Sequence, residues 1–91
     1  VNRDDLERLW HSRSFSFELW RDPPGQEWED FSHESDELIY VLEGQIEVEV
    51  EGEKRRLGTD EETFIPANTV HTIRNIGDRV ALWLYGCRTN A

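Results

Sequence analysis

The stretch from Gln45 to Leu57, QIEVEVEGEKRRL, decides how the rest of the chain is read. Ile46, Val48 and Val50 alternate with Glu47, Glu49 and Glu51, and a period of two puts the apolar side chains on one face of a strand and the carboxylates on the other. Gly52 falls where a tight hairpin turns. The basic run Lys54–Arg56 sits on the returning strand, where it offsets the facing acidic row. A half-buried hairpin is the reading that follows.

Outward from this hairpin the same texture continues. Toward the C-terminus come TFI, VHTIRN and VALWLYG, separated by the turn-forming PANT and IGD. Toward the N-terminus, Ser14–Trp20 (SFSFELW) alternates, with Phe15, Phe17 and Leu19 predicted on one face. Asp22–Gly25 (DPPG) then breaks the chain, because neither proline can donate to a sheet and the glycine permits an unusual turn. Only Asn2–His11 has helical spacing, with Leu6, Leu9 and Trp10 behind early aspartates that suit a helix N-terminus. About eight short strands at turn spacing predict an all-β barrel or sandwich with a short N-terminal helix. Residues 1–12 are read as a helical extension and 13–91 as one domain.

Composition narrows the function. A chain of 91 residues has material for a single core. Twenty acidic against ten basic residues give a formal charge of −10, a field that repels nucleic acid and anionic membranes and attracts cations. The lone Cys87 has no partner for an internal disulfide and is read as a small apolar strand residue. No signal-type apolar segment or membrane-length span is present, so the expected location is cytoplasmic. The absence of methionine, including a starting one, suggests a trimmed chain with a short piece missing at the front. Most of the charge, including Asp60–Glu62, and His11 are expected on the solvated surface.

The other two histidines sit in patterned surroundings. Five residues separate Gly25 from Phe31, His33 is two beyond, three separate His33 from Glu37, and six separate Glu37 from Gly44. Downstream, Gly58, Pro66, His71 and Asn75 recur in GTDEETFIPANTVHTIRN, with Asn68 between the proline and the histidine. In order, these resemble the two motifs of the cupins, Gly-x5-His-x-His-x3-4-Glu-x6-Gly and a Gly followed by Pro-x-Gly-x2-His-x3-Asn. The resemblance runs from the first predicted strand nearly to the end of the chain. It implies a cupin-type jelly roll and a minimal, single-domain cupin.

The same resemblance implies His33, Glu37 and His71 as ligands of one divalent ion, zinc, nickel, iron or manganese. Two imidazoles and a carboxylate leave coordination positions open for water or a small molecule. Phe31 departs from the pattern, since a cupin histidine stands there and a benzyl group cannot coordinate. Either the site becomes an open three-ligand one with an apolar wall, or the pocket has lost its metal. Glu29, two residues earlier, is a substitute donor if it shares that face. Strand parity puts Ile39 and Val41 on the face of Glu37, and Ile73 and Asn75 on the face of His71; with Phe31 they are the expected pocket lining. A zinc helix is excluded because HESDE ends in glutamate, and GEKRRLG lacks the Lys-Ser/Thr ending of a phosphate loop.

Two functions from different classes follow. One is an enzyme, a metal-dependent dioxygenase or isomerase of a small molecule, as the family resemblance implies. The other is a non-catalytic cupin module that binds a metal or a small molecule. The scarcity of acid–base groups favours the second: beyond the three ligands only Tyr40, Tyr85, Asn75 and Cys87 are polar candidates, and parity turns Tyr40 away. Parity also makes Leu38, Tyr40 and Leu42 an apolar outer row. Such a row predicts a homodimer, unless the helix with Leu6, Leu9 and Trp10 folds back over it.

Overall fold

The computed structural model describes residues 2–32 and 34–89. Helix α1 (Arg3–Ser12) is followed by strands β1 (Glu18–Asp22), β2 (Glu27–Phe31), β3 (Glu37–Glu43), β4 (Ile46–Val50), β5 (Glu53–Leu57), β6 (Glu62–Ile65), β7 (His71–Asn75) and β8 (Ala81–Cys87). They form two four-stranded sheets, ordered β1-β8-β3-β6 and β2-β7-β4-β5, antiparallel throughout. This is a two-sheet sandwich, as the strand spacing predicts, of the jelly-roll type that the cupin resemblance implies.

The β4–β5 hairpin forms with its turn at Gly52 as predicted, Ile46 pairing opposite Leu57 and Val50 opposite Glu53. Its two-residue turn has positive φ at both Glu51 (49°) and Gly52 (85°), the type I′ geometry that matches strand twist. Ile46 and Val48 are buried in the core between the sheets with Ile39, Val41, Leu57, Ile65, Ile73 and Trp83. On the opposite face Arg74 of β7 reaches Glu27 (3.2 Å), Glu47 (3.0 Å) and Glu49 (2.8 Å). The glutamate row therefore has the outward role its alternation predicts.

A second apolar cluster lies outside the barrel. Helix α1 is capped by Asn2, whose side chain accepts the Asp5 amide at 3.1 Å. It ends at Ser14 in the left-handed conformation (φ 65°), with Ser14 N–H bonded to His11 O and Phe15 N–H to Trp10 O. That pattern is a Schellman motif, and the apolar contact that accompanies it is Phe15 against Trp10. Trp10, fully buried, donates its indole N–H to Glu62 Oε1 and packs with Phe15, Leu38, Tyr40 and Leu84. The apolar row on which the homodimer expectation rests is thus covered within the chain. The helix supplies the cover, so that row no longer argues for a second copy.

The N-terminal alternation needs a further correction. A single strand over Ser14–Trp20 is not formed: Phe15 makes only an isolated bridge to Arg88, and β1 starts at Glu18. Phe15 and Phe17 belong to the cluster under α1, whereas Leu19 is exposed. The helix also presents a narrower face than its spacing suggests, since Leu9 is exposed while Trp10 is buried.

One substitution within the motif has a conformational basis. Asn68, standing where the cupin pattern has glycine, adopts φ 59°, a region that asparagine tolerates better than other residues with a Cβ. Asn68→Val is therefore expected to cost about 1–2 kcal/mol. Asn68→Gly should leave stability nearly unchanged in urea denaturation. Equal effects of the two would argue that the turn is not held left-handed.

Candidate functional site

Glu37 opens β3 in one sheet and His71 opens β7 in the other, so the sandwich brings their side chains face to face across its interior. Both are about 2% exposed, with His71 Nε2 3.4 Å from Glu37 Oε1. His71 Nδ1 lies 3.0 Å from the Thr69 carbonyl oxygen. A carbonyl only accepts, so Nδ1 carries the proton there and Nε2 is left to face the carboxylate. A neutral ring would then set a lone pair against an anion, and the pair is stable only with a proton or a metal ion between them. Burial pushes the His71 pKa down, but the hydrogen bonds to Glu37 and Thr69 and the Glu37 charge outweigh it and hold the imidazole above its ordinary value.

This half of the donor set fits a divalent metal. Its carboxylate and imidazole are buried and convergent, and the backbone carbonyl on Nδ1 is the outer partner that orients a metal-binding histidine. Among the described residues no three His, Cys, Asp or Glu side chains stand close enough to hold an ion. His33, the third expected ligand, lies outside the described residues. Position 31 is brought opposite His71 by an irregularity between Trp28 and Phe31, which sets three steps of β2 against two of β7. Glu29 is exposed, which removes the expectation that it shares the inward face.

A cavity of about 240 Å³ opens beside the pair, lined by Trp20, Trp28, Glu37, His71, Ile73, Trp83 and Tyr85. Of the expected lining residues Ile73 is present, and the Phe31 side chain lies outside the described part of the structure. Ile39 and Val41 point inward as parity predicts but are packed in the core. Asn75 is buried and engaged elsewhere: its amide donates to the carbonyl oxygens of Asp22 (3.0 Å) and Arg79 (2.8 Å), and its oxygen accepts the Gly77 N–H. It fastens the β7–β8 turn to the end of β1 and does not line the cavity. Tyr40 faces outward and donates to Asp60 at 3.0 Å.

The aromatic wall is what the sequence reading missed. Trp20 of β1 stands directly opposite Trp83 of β8, and their rings stack with centroids 6.2 Å apart. Trp28 and Tyr85 meet Trp20 edge to face, at 5.5 and 6.4 Å. Behind them Asp22, itself buried, accepts both indole N–H groups on one oxygen, from Trp28 at 3.0 Å and from Trp83 at 3.0 Å. A signal was present in VALWLYG, which is apolar on both faces. For Trp20 it was hidden, because a strand begun at Ser14 puts Phe15, Phe17 and Leu19 inward.

The Tyr85 hydroxyl lies 2.9 Å from Cys87 Sγ. Burial, then this hydrogen bond and the nearby Glu37 charge, push its pKa up, so the phenol stays protonated at neutral pH. Among the described residues, no helix is long and apolar enough to cross a membrane.

Comparison with known proteins places these features in context. A family model described as a cupin domain matches residues 18–86. The chain is 36% identical over 63 residues to "Polyketide synthase CurC" of Streptomyces cyaneus, an alignment covering 68% of this chain and 41% of that protein. The chain thus spans well under half of that curated relative. Among solved structures it resembles the cupin domain of an XRE family transcriptional regulator from Enterobacter cloacae, with TM-score 0.77, 23% identity, and coverage of 89% of this chain and 87% of the other. It also resembles the TT1209 protein of Thermus thermophilus, with TM-score 0.73, 32% identity, and coverage of 81% and 72%.

Proposed function

The chain belongs to the cupin domain family, and on that premise we propose that it is a metal-binding cupin module that holds a small molecule in its aromatic-walled cavity. Glu37 and His71, with His33, hold one divalent ion at the polar end. The observation that carries this reading is the buried pair itself, an imidazole nitrogen turned to a carboxylate oxygen at 3.4 Å beside an open cavity. When bound, such an ion supplies Lewis-acid polarisation of an oxygen donor. Around it, Ile73 and the indoles exclude water, and the Thr69 carbonyl fixes the His71 ring.

The non-catalytic form of this reading is favoured over the enzymatic one by Tyr85. Apart from Glu37 and His71 it is the one lining residue, among those described, with an exchangeable proton not already donated to Asp22, Trp20 at the rim aside. Its raised pKa makes it a poor proton donor. Dioxygenase or isomerase chemistry on a polyketide-like carbonyl compound is the second form, suggested by the name of the Streptomyces relative. Oxygen uptake by the iron-loaded protein with diketones, catechols or thiols separates the two.

Calorimetric titration of chelator-treated protein with zinc tests the metal reading. One site per chain is expected, and no saturable heat would contradict it. Phe31→His provides a second check. Because the β2 irregularity brings position 31 opposite His71, the added imidazole is expected to slow zinc loss to chelator by about 10-fold or more, the effect of a strengthened coordination shell. Unchanged loss from a folded variant would mean that position 31 does not reach the ion.

A further inference from the structure

We propose that the aromatic end of the cavity is a cage for a small quaternary ammonium compound; this rests on the pocket reading above but not on the metal. Three of the chain's four tryptophans line the cavity with Tyr85. Their planes run in two near-perpendicular sets: Trp20 and Trp83 lie 21° apart, Trp28 is at 77° to Trp20, and Tyr85 is at 84° to Trp83. A molecule entering therefore meets rings from more than one direction, the arrangement in which ring quadrupoles add around a cation.

The polar groups of the wall sharpen this choice. The indole N–H groups of Trp28 and Trp83 both donate to Asp22, which does not itself line the cavity. The two rings therefore offer the cavity π surface rather than hydrogen-bond donors, which disfavours an anion or a carbonyl compound at this end. Asp22 stands behind the indoles, away from the Glu37–His71 pair at the polar end, and no Lys or Arg is among the described lining residues. The net charge of −10 adds long-range attraction for cations. A primary ammonium would give up N–H bonds to water that an aromatic wall cannot replace. A methylated nitrogen has none to lose, so the quaternary group is the better fit.

The test is a tryptophan-fluorescence titration of the metal-free protein with choline and with 3,3-dimethylbutan-1-ol, its uncharged carbon isostere. Choline is expected to bind at least about 10-fold more tightly, the range of a desolvated cation–π contact. Trp20→Leu at the cavity rim keeps apolar bulk and removes a ring; it should weaken choline about 5-fold or more and leave the isostere unchanged. Trp20→Phe should restore most of the loss. Equal affinity for the two compounds, no binding of choline, or indifference of choline to Trp20→Leu in a folded variant would each overturn the cage. Zinc titration of the same samples keeps the two readings apart. Zinc binding without choline binding removes the cage alone, and choline binding without zinc binding removes the metal alone.

Discussion

Alanine at His33, Glu37 or His71 is expected to reduce the affinity for a divalent ion by well over the roughly 10–100-fold that loss of an outer-shell partner costs. His11→Ala, on the exposed side of α1, should leave it unchanged. The physical reason is the small number of donors: removing one of three strips the ion of a bond that water replaces at lower affinity. Glu37→Ala has an added consequence in the metal-free chain. His71 then loses the nearby anion that favours its protonated form, so burial pushes its pKa downward and the ring becomes neutral at lower pH. Calorimetry on the four variants checks the expectation. Full affinity in folded His71→Ala would remove that residue from the site.

Gly86→Ala is expected to be the most damaging single methyl in the domain. A Cβ on Gly86 falls inside contact distance of the Ser16 carbonyl oxygen and 2.9 Å from Trp10 Cε3. The first neighbour is backbone and the second is a fully buried indole, so neither can yield cheaply. The cost should be about 2–4 kcal/mol, a fall in melting temperature of about 4–8 °C per kcal/mol for a domain of this size. Relief comes most easily by lifting α1, which would uncover Leu38, Tyr40 and Leu84. Protease cleavage before Phe15 and a red-shifted tryptophan emission would report that route. A melting temperature within about 2 °C of the unsubstituted protein would contradict the tight docking of α1 on β8.

The legibility of the fold depended on which residues break a pattern openly. Glu47, Glu49 and Glu51 alternate without interruption and end at Gly52, so strand, face and turn could all be read. The helix was legible to within a residue, His11 expected and Ser12 found, but the stretch after its left-handed Ser14 was not, because it carries Phe15 and Phe17 under α1 outside any named strand. Reading Ser14–Phe17 as strand moved the start of β1 and turned Trp20 to the wrong face. The outer row of Leu38, Tyr40 and Leu42 was visible as apolar, but parity says nothing about what covers it; the contact of Trp10 with these strands is non-local. At the site, the spacings around Glu37 and His71 singled out two residues that the fold brings together. Asp22 reads in sequence as the first residue of a turn, and only the sandwich shows it holding two indoles.

The proposed ion would sit between the two sheets on imidazole and carboxylate ligands. X-ray absorption at the zinc edge of the loaded protein tests it most directly. A first shell of nitrogen and oxygen at about 2.0–2.2 Å, with the outer-shell scattering of two imidazoles, is expected. A sulfur neighbour at about 2.3 Å, which only Cys87 can supply, or an oxygen shell without imidazole scattering, would contradict it.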